Sequence, residues 1–313
     1  GYRDVTSHAH QVGCASRFGP AGMTTICPDA GKTGIIGQAA SFQRRSYLTV
    51  SPSDDSLNLR RGDGHFTLAA WIYPTQQDGR WRGVFGSENH EHPERSYPSL
   101  YAKGSEQRFK AAFGNGTQLC EVTSQHNALT RNTWQFVVAV FDGVSFKLYV
   151  NGNEVGSDAS CADTRPHNTD AFDIGRTSTA AHFSVDHLTV VDEGDGLDSD
   201  RFGRSAEYNL FVDGTRIWGN PNIVPGTYYP PGYTVYGDYA HSVNLTELDK
   251  TVEEPARGDD DLLIYDQFYN HRPNNRTSSY DEGRDGEGTL TWKVDNDFYA
   301  GRLDDLRIYR RAI

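Results

Sequence analysis

The sequence predicts an all-β chain built from antiparallel sandwiches. Three observations predict it. Apolar residues alternate with polar ones in short runs, separated by Gly, Asn, Asp and Ser, which is the period of a half-buried strand. Asp-Gly and Asn-Gly dipeptides stand between several of these runs, where a tight hairpin turn needs residues that tolerate positive φ. Patterns with the helical period are nearly absent.

Taken in chain order, Phe66-Thr-Leu-Ala-Ala-Trp-Ile-Tyr73 reads as a strand that Pro74 stops. Trp134-Gln-Phe-Val-Val-Ala-Val-Phe141 is a second strand, ended by Asp142-Gly143. Its return strand, Ser145–Val150, ends in turn at Asn151-Gly152, so these pieces form an antiparallel meander. Further on, Phe183–Val191 alternates, and Tyr208–Ile217 is a strand, an Asp213-Gly214 turn and a strand. Val243–Val252, Leu262–Phe268 and Thr289–Val294 supply more strands. Between them, Trp218–Tyr239 holds four Pro and five Tyr and reads as a long ordered loop or the cover of an edge strand.

Charge divides the chain. Residues 178–295 hold 22 Asp and Glu against 9 Lys and Arg, whereas the other 195 residues hold 20 against 21. Two bodies with different surfaces are expected, and 313 residues are enough to bury a core in each. The net charge of -12 argues against a nucleic-acid backbone or an anionic membrane as the main partner. No run of apolar residues is long enough to span a bilayer, so membrane insertion is not expected. Nor does the N-terminus show a basic-then-apolar pattern, so a secretion signal is expected to be removed or to lie outside this chain.

The four cysteines, Cys14, Cys27, Cys120 and Cys161, form no Cys-x-x-Cys pair, which argues against a structural zinc. Three pairings are open. Cys14–Cys27 with Cys120–Cys161 is favoured because each closes a loop within the less charged part. An oxidising, extracellular compartment is the expectation. Asn-x-Ser/Thr sequons at Asn115, Asn244 and Asn275 permit glycosylation.

Several of these runs together resemble a family. Gly34–Phe42 followed by Ser46-Tyr-Leu-Thr-Val50 is similar to the opening of a LamG-like jelly roll, the concanavalin A-like lectin/glucanase fold. The resemblance continues through Phe66–Pro74, Thr133–Phe141, Leu148–Val155 and Phe172-Asp-Ile-Gly-Arg176, and closes with Phe298–Ala312. It departs from the family where the Ile-Gly-Arg strand normally passes within a few residues to the Gly-Arg-Leu-Asp-Asp strand. Here the acidic segment intervenes. The resemblance therefore implies a jelly roll over residues 1–177, an inserted smaller Ig-like or C2-like β-sandwich over 178–295, and the closing jelly-roll strand in 296–313.

Chemistry-bearing clusters are few. Asp192, Asp195, Asp198 and Asp200 follow one strand, and Asp259, Asp260 and Asp261 precede another. Asp/Gly loops gather the six to eight oxygens that calcium wants, so a Ca²⁺ site shared by these two runs is the expected metal centre. The resemblance also implies a calcium ion at the rim of the jelly roll, but Asp54, Asp55 and Asp142 match it only weakly and that site is not carried over. His8/His10 and His90/His92 are the histidine clusters; without a third ligand they read as exposed loop residues. Arg61-Gly62-Asp63 is accounted for by the turn ahead of Phe66. Tyr228, Tyr229, Tyr233, Tyr236 and Tyr239 could stack on sugars or seal an interface or an edge. No paired carboxylates at glycosidase spacing, nucleophile elbow or leftover thiol occurs, so catalysis is not expected.

The functional expectation is a non-catalytic, calcium-stabilised structural or adhesive module of an extracellular surface protein or fibrous assembly. Its partners would be other copies of itself or neighbouring modules. A carbohydrate-binding module is the first alternative, implied by the resemblance, and a glycan-cleaving enzyme the second.

Overall fold

The strand Phe66–Pro74 shows how this sequence makes its layers. Phe66, Leu68, Ala70 and Ile72 are fully buried on one face, while Trp71 and Tyr73 stand half-buried on the other. Gln135–Phe141 pairs with it in antiparallel register, Phe141 opposite Phe66. The Asp142 carboxylate then accepts the amides of Val144 and Ser145 at 2.9 and 2.7 Å, which fixes the turn into Phe146–Val150. Asn151 (φ 51°) and Gly152 (φ 83°) form the next turn, with both residues left-handed as a type I′ hairpin requires.

In this computed structural model, the described residues are 6–19, 22–43, 46–52, 54–89, 92–167, 172–177, 181–192, 206–235, 240–248, 261–269, 274–281, 287–296 and 298–313. The chain divides into two units, Gly1–Ser178 with Asp297–Ile313, and Thr179–Asn296. Among the described residues of the first unit lie two sheets. One has seven strands, in the order Asn153–Asp158, Phe146–Val150, Gln135–Phe141, Phe66–Pro74, Gly301–Tyr309, Gln38–Phe42 and Asp29–Thr33. The closing strand Gly301–Tyr309 sits inside this sheet, with Leu303 between Ile72 and Ala40. The other sheet has eight strands, in the order Leu119–Thr123, Arg108–Gly114, Tyr97–Lys103, Arg82–Ser87, Phe172–Ile174, Leu48–Ser51, Gln11–Gly19 and Gly22–Ile26.

Aromatic rings fill the space between these sheets. Phe113 lies 4.8 Å from Phe141 and 5.4 Å from both Phe66 and Phe146, centroid to centroid. Each such ring, fully buried, contributes roughly 2–3 kcal/mol. Cys14 is bonded to Cys27, and Cys120 to Cys161. The second bridge is buried and closes a loop with a separation of 41 residues.

The second unit is also a pair of sheets. Ala181–Asp192 and Glu287–Asn296 run side by side, flanked by Gly226–Tyr228 and Asn274–Asp281, with Tyr233–Val235 added to Ala181–Asp192. The other sheet orders Thr215–Ile223, Ala206–Val212, Ala240–Leu248 and Asp261–Tyr269. Phe183, Leu188, Leu290 and Trp292 of the first sheet share one buried core with Tyr208, Leu210, Val243 and Leu245 of the second. The Pro- and Tyr-rich stretch is more regular than its composition suggests. Trp218 belongs to the long strand Thr215–Ile223, and Gly226–Tyr228 and Tyr233–Val235 are short strands. Prolines 221, 225, 230 and 231 fall in or beside edge strands, where a missing ladder donor costs little. Asn274–Asp281 had no apolar alternation to announce it, because its sequence is almost entirely polar.

Candidate functional site

The eight-stranded sheet carries a mixed aromatic and cationic patch on its outer face. Phe109, Ala111 and Phe113 point into the core, so Lys110 points out; Leu100 and Ala102 point in, so Tyr101 and Lys103 point out. The register sets Tyr101 opposite Lys110 on one side and Gly83 on the other. Trp81, half-buried, immediately precedes the strand Arg82–Ser87. The Lys110 ammonium lies 4.7 Å from the Tyr101 ring centroid and 5.3 Å from that of Trp81. The Lys103 ammonium lies 5.6 Å from the same indole. Such contacts are worth about 0.5–1 kcal/mol where exposed and more where desolvated. Lys110 is of the second kind, since only 14% of its side chain meets solvent.

Carboxylates complete the patch. Lys110 pairs with Glu121 at 3.6 Å and Lys103 pairs with Glu106. The bond from Lys103 holds the Glu106 carboxyl below its ordinary range. Tyr101 donates its hydroxyl to Glu88 Oε2 at 2.9 Å, and burial followed by the Glu88 charge pushes that phenol well above its usual value. Gly83 is there for space. A Cβ at this position would collide with the backbone nitrogen of Thr177, whose carbonyl accepts the Glu88 amide at 2.7 Å.

The seven-stranded sheet has its own outward row of rings, used differently. Trp71 packs on Phe136 at 5.2 Å, Tyr73 on Trp134 at 5.5 Å, and Arg302 covers Tyr73 at 5.1 Å. Asp304, in the same row, accepts the amides of Ile35 and Ile36 at 2.7 Å each and so anchors a loop. Asp305 (φ 49°) pairs with Arg307 instead, so these adjacent carboxylates act separately. The rings here are occupied with one another, and the carboxylate is occupied with structure.

The sites expected from sequence are placed as follows. Asp192 ends Ala181–Asp192 and Asp261 opens Asp261–Tyr269, in two different sheets of the second unit. Asp195, Asp198, Asp200, Asp259 and Asp260 lie outside the described residues. Among the described residues, no three His, Cys, Asp or Glu side chains are grouped to hold a metal. His8 and His10 do come together, with rings 5.8 Å apart, and they meet Asp54 and Ser56. His8 bonds Asp54 at 2.8 Å and His10 bonds Ser56 at 2.7 Å. His10 is buried at 8% exposure, whereas His8 and His92 are exposed as expected, and His90 lies outside the described residues. Asp54 also caps the short 3-10 turn Asp55–Leu57, and the bonds from Ser56, then His8, hold its carboxyl well below the ordinary range. His92 pairs with Glu94 at 3.3 Å. In Arg61-Gly62-Asp63, Gly62 takes φ 74° and Asp63 accepts the His65 amide, a turn held by its own bonds.

The sequons differ in setting. Asn115 Oδ1 accepts the Thr117 amide and hydroxyl and the Gln118 amide, at 2.8–2.9 Å. Asn244 sits within Ala240–Leu248 and Asn275 within Asn274–Asp281. Of the tyrosines, Tyr228 bonds both backbone groups of Val224 and packs on Trp218, whereas Tyr229 is 75% exposed. Tyr236 and Tyr239 lie outside the described residues. Sequence reasoning passed over Trp81, Tyr101, Lys103 and Lys110. They belong to different strands and a loop, and no local motif joins them.

Comparison with known proteins places the jelly roll. Residues 43–193 match the family model Laminin_G_3, described as the concanavalin A-like lectin/glucanases superfamily. Solved structures to which the chain is similar include domain 4 of AbnA, a GH43 extracellular arabinanase from Geobacillus stearothermophilus, in complex with arabinotriose. It is 17% identical, covers 54% of this chain and 74% of that one, and has a TM-score of 0.38. Another is the Ruminococcus gnavus IT-sialidase CBM40 bound to alpha2,3 sialyllactose, at 13% identity, 44% and 77% coverage and a TM-score of 0.37. The binding domain of botulinum neurotoxin serotype D aligns over 97% of this chain and 93% of its own, at 9% identity and a TM-score of 0.42. No curated protein matches the sequence. With its two sheets, its meander and its closing strand in place, the body that carries the Trp81 face is a LamG-like jelly roll of the concanavalin A-like lectin/glucanase superfamily.

Proposed function

We propose that the jelly-roll unit is a non-catalytic, extracellular glycan-binding module whose ligand lies across Trp81 and carries an acidic group. One observation carries this reading: two ammonium groups flank a single indole on one sheet face, with a tyrosine beneath the nearer of them. An indole offers a flat apolar surface to the C–H face of a pyranose. Lys103 and Lys110 supply charge-assisted donors for a carboxylate or sulfate. An acidic ligand would take the places now held by Glu121 and Glu106 on these two ammonium groups. The family supports a lectin-type role, and the two disulfides support an oxidising compartment. Adhesion, the role expected from sequence, is what such a module confers on a surface protein when its glycan is on another cell or fibre.

The test is calorimetric titration of the full chain with tri-galacturonate and with the neutral trisaccharide maltotriose. Tri-galacturonate binds the native chain and weakens as salt is raised. Trp81→Ala and Lys110→Ala each lower its affinity at least roughly tenfold, or about 1.4 kcal/mol, with little change in melting temperature. Affinity for tri-galacturonate that survives both substitutions rules out this face.

A further inference from the structure

The four-stranded sheet of the second unit has an outer face with unusual chemistry. Tyr208, Leu210, Val212, Val243 and Leu245 face the core, so Asn209, Phe211, Asn244 and Thr246 share the opposite face. Register sets Asn209 opposite Thr246, and Phe211 opposite Asn244. Across the neighbouring strands, Asn244 is opposite Tyr265, Phe211 opposite Arg216, and Asn209 opposite Gly219. The exposed Arg216 lays its guanidinium over Gly219, in the space a Cβ there would fill, and so lies beside Asn209.

The two amide oxygens on this face are anomalous. Asn209 Oδ1 and Asn244 Oδ1 are both out of reach of solvent, and neither accepts a hydrogen bond. Asn209 as a whole is only 6% exposed. A buried acceptor without a donor costs about 1–3 kcal/mol, so folded proteins rarely keep two on adjacent strands facing one way. Tyr265, on the same face, is 57% exposed. What would satisfy the oxygens is an incoming donor that displaces the side chains now shielding them from solvent. A cationic donor is repelled by Arg216. An anion brings no proton for the oxygens, and it meets a unit with 22 acidic and 9 basic residues. A neutral polyol meets both conditions, because each hydroxyl donates to an amide oxygen and accepts from a guanidinium.

We propose that this face binds a neutral sugar, with Asn209 and Asn244 as acceptors, Arg216 as donor and Tyr265 as stacking ring. Arg216 swings off Gly219 to admit it. The site is independent of the Trp81 face and belongs to a different unit, so each can fail without the other.

Saturation-transfer NMR on the full chain carrying Trp81→Ala tests it, with maltotriose, cellotriose and mannotriose as probes. Transfer to at least one trisaccharide is expected in that background. Asn209→Leu with Asn244→Leu lowers the affinity at least roughly tenfold, and the exposed Tyr265→Ala alone lowers it several-fold without unfolding risk. The melting temperature of the Asn209→Leu, Asn244→Leu chain without sugar stays level or rises, since the orphaned acceptors are gone. The proposal is overturned if none of the three probes shows transfer, or if transfer survives the double substitution and Tyr265→Ala. It is equally overturned if intact-mass analysis of the secreted chain finds a glycan attached to Asn244, which would fill this face covalently.

Discussion

At the scale of single residues, Tyr101 ties the candidate glycan face to the pH response of the protein. Its ring is nearly inaccessible at 2% exposure, its hydroxyl donates to Glu88, and Lys110 lies over its face. Burial first, then the Glu88 charge, pushes its phenol up, and burial does the same for Tyr97 and Tyr299. The unfolded chain ionises these groups near pH 10, while the folded chain keeps them neutral. Their folded values are raised, so the stability they contribute is complete below about pH 10 and is lost as pH rises through the folded values. The expected outcome is alkaline unfolding that begins above about pH 10, with phenolate absorbance from these tyrosines appearing only as structure is lost. Tyr101→Phe shallows that alkaline limb and leaves stability at neutral pH within about 1 kcal/mol. If Tyr101→Phe leaves the alkaline limb as steep as in the native chain, the buried, Glu88-bonded phenol is not what shapes it. None of this was legible in the sequence, where Tyr101 is one aromatic among many. Gly83 is opposite it on one neighbouring strand and Lys110 lies over its ring from the other, and neither is adjacent to it in the chain.

At the scale of elements, register does what motifs do elsewhere. Lys110 reaches Tyr101 because Tyr97–Lys103 and Arg108–Gly114 form a hairpin in which those two residues are opposite one another. The strands were legible from their apolar pattern, since Phe66–Pro74 and Gln135–Phe141 bury at least every second residue. The patch was not, because outward residues of different strands are scattered in sequence and alternation gives a strand without naming its neighbour. Gly83 shows how tightly the packing behind the patch is drawn. Gly83→Ala places a methyl group against the Thr177 backbone, and the strain is expected to cost about 1–3 kcal/mol. Because Thr177 is also bonded to Glu88, the same substitution weakens tri-galacturonate binding, whereas loss of stability with unchanged affinity would separate Gly83 from the site. The two acidic runs are likewise elements to be tested, and they rest on sequence alone. If Asp195, Asp198 and their companions share a calcium ion, chelator lowers the melting temperature of the full chain. In that case Asp195→Asn with Asp198→Asn abolishes the difference between chelated and calcium-loaded protein. A native chain that melts at one temperature in both conditions refutes the metal.

At the scale of the whole molecule, the jelly roll is made of pieces far apart in the chain. The closing strand Gly301–Tyr309 occupies an interior position of the seven-stranded sheet, hydrogen-bonded to both Phe66–Pro74 and Gln38–Phe42. Its neighbour Tyr299 donates its amide to the Gly175 carbonyl at 2.8 Å, so the chain leaves the jelly roll and returns to it at nearly the same place. A strand within Phe298–Ala312 was legible from the sequence, and Gly301–Tyr309 is that strand, although the family match spans only residues 43–193. What the second unit would look like was less legible, because strands such as Asn274–Asp281 are polar on both faces and give no alternation. The close approach of residues 175 and 299 leads to the sharpest expectation. Joining residue 178 to residue 297 through a short Gly/Ser linker closes a loop whose ends are already held together, at an entropic cost no larger than that of the native connection. The excised jelly roll is therefore expected to unfold in one cooperative transition and to bind tri-galacturonate as the full chain does. Ending the chain at residue 296 instead removes a central strand and leaves the ladders of Phe66–Pro74 and Gln38–Phe42 unpaired on one side, so that product is expected to be unfolded. Circular dichroism and thermal melting of the two products, compared side by side, decide it. If the linker-joined chain fails to fold while the full chain does, the jelly roll depends on Thr179–Asn296 for more than the covalent path.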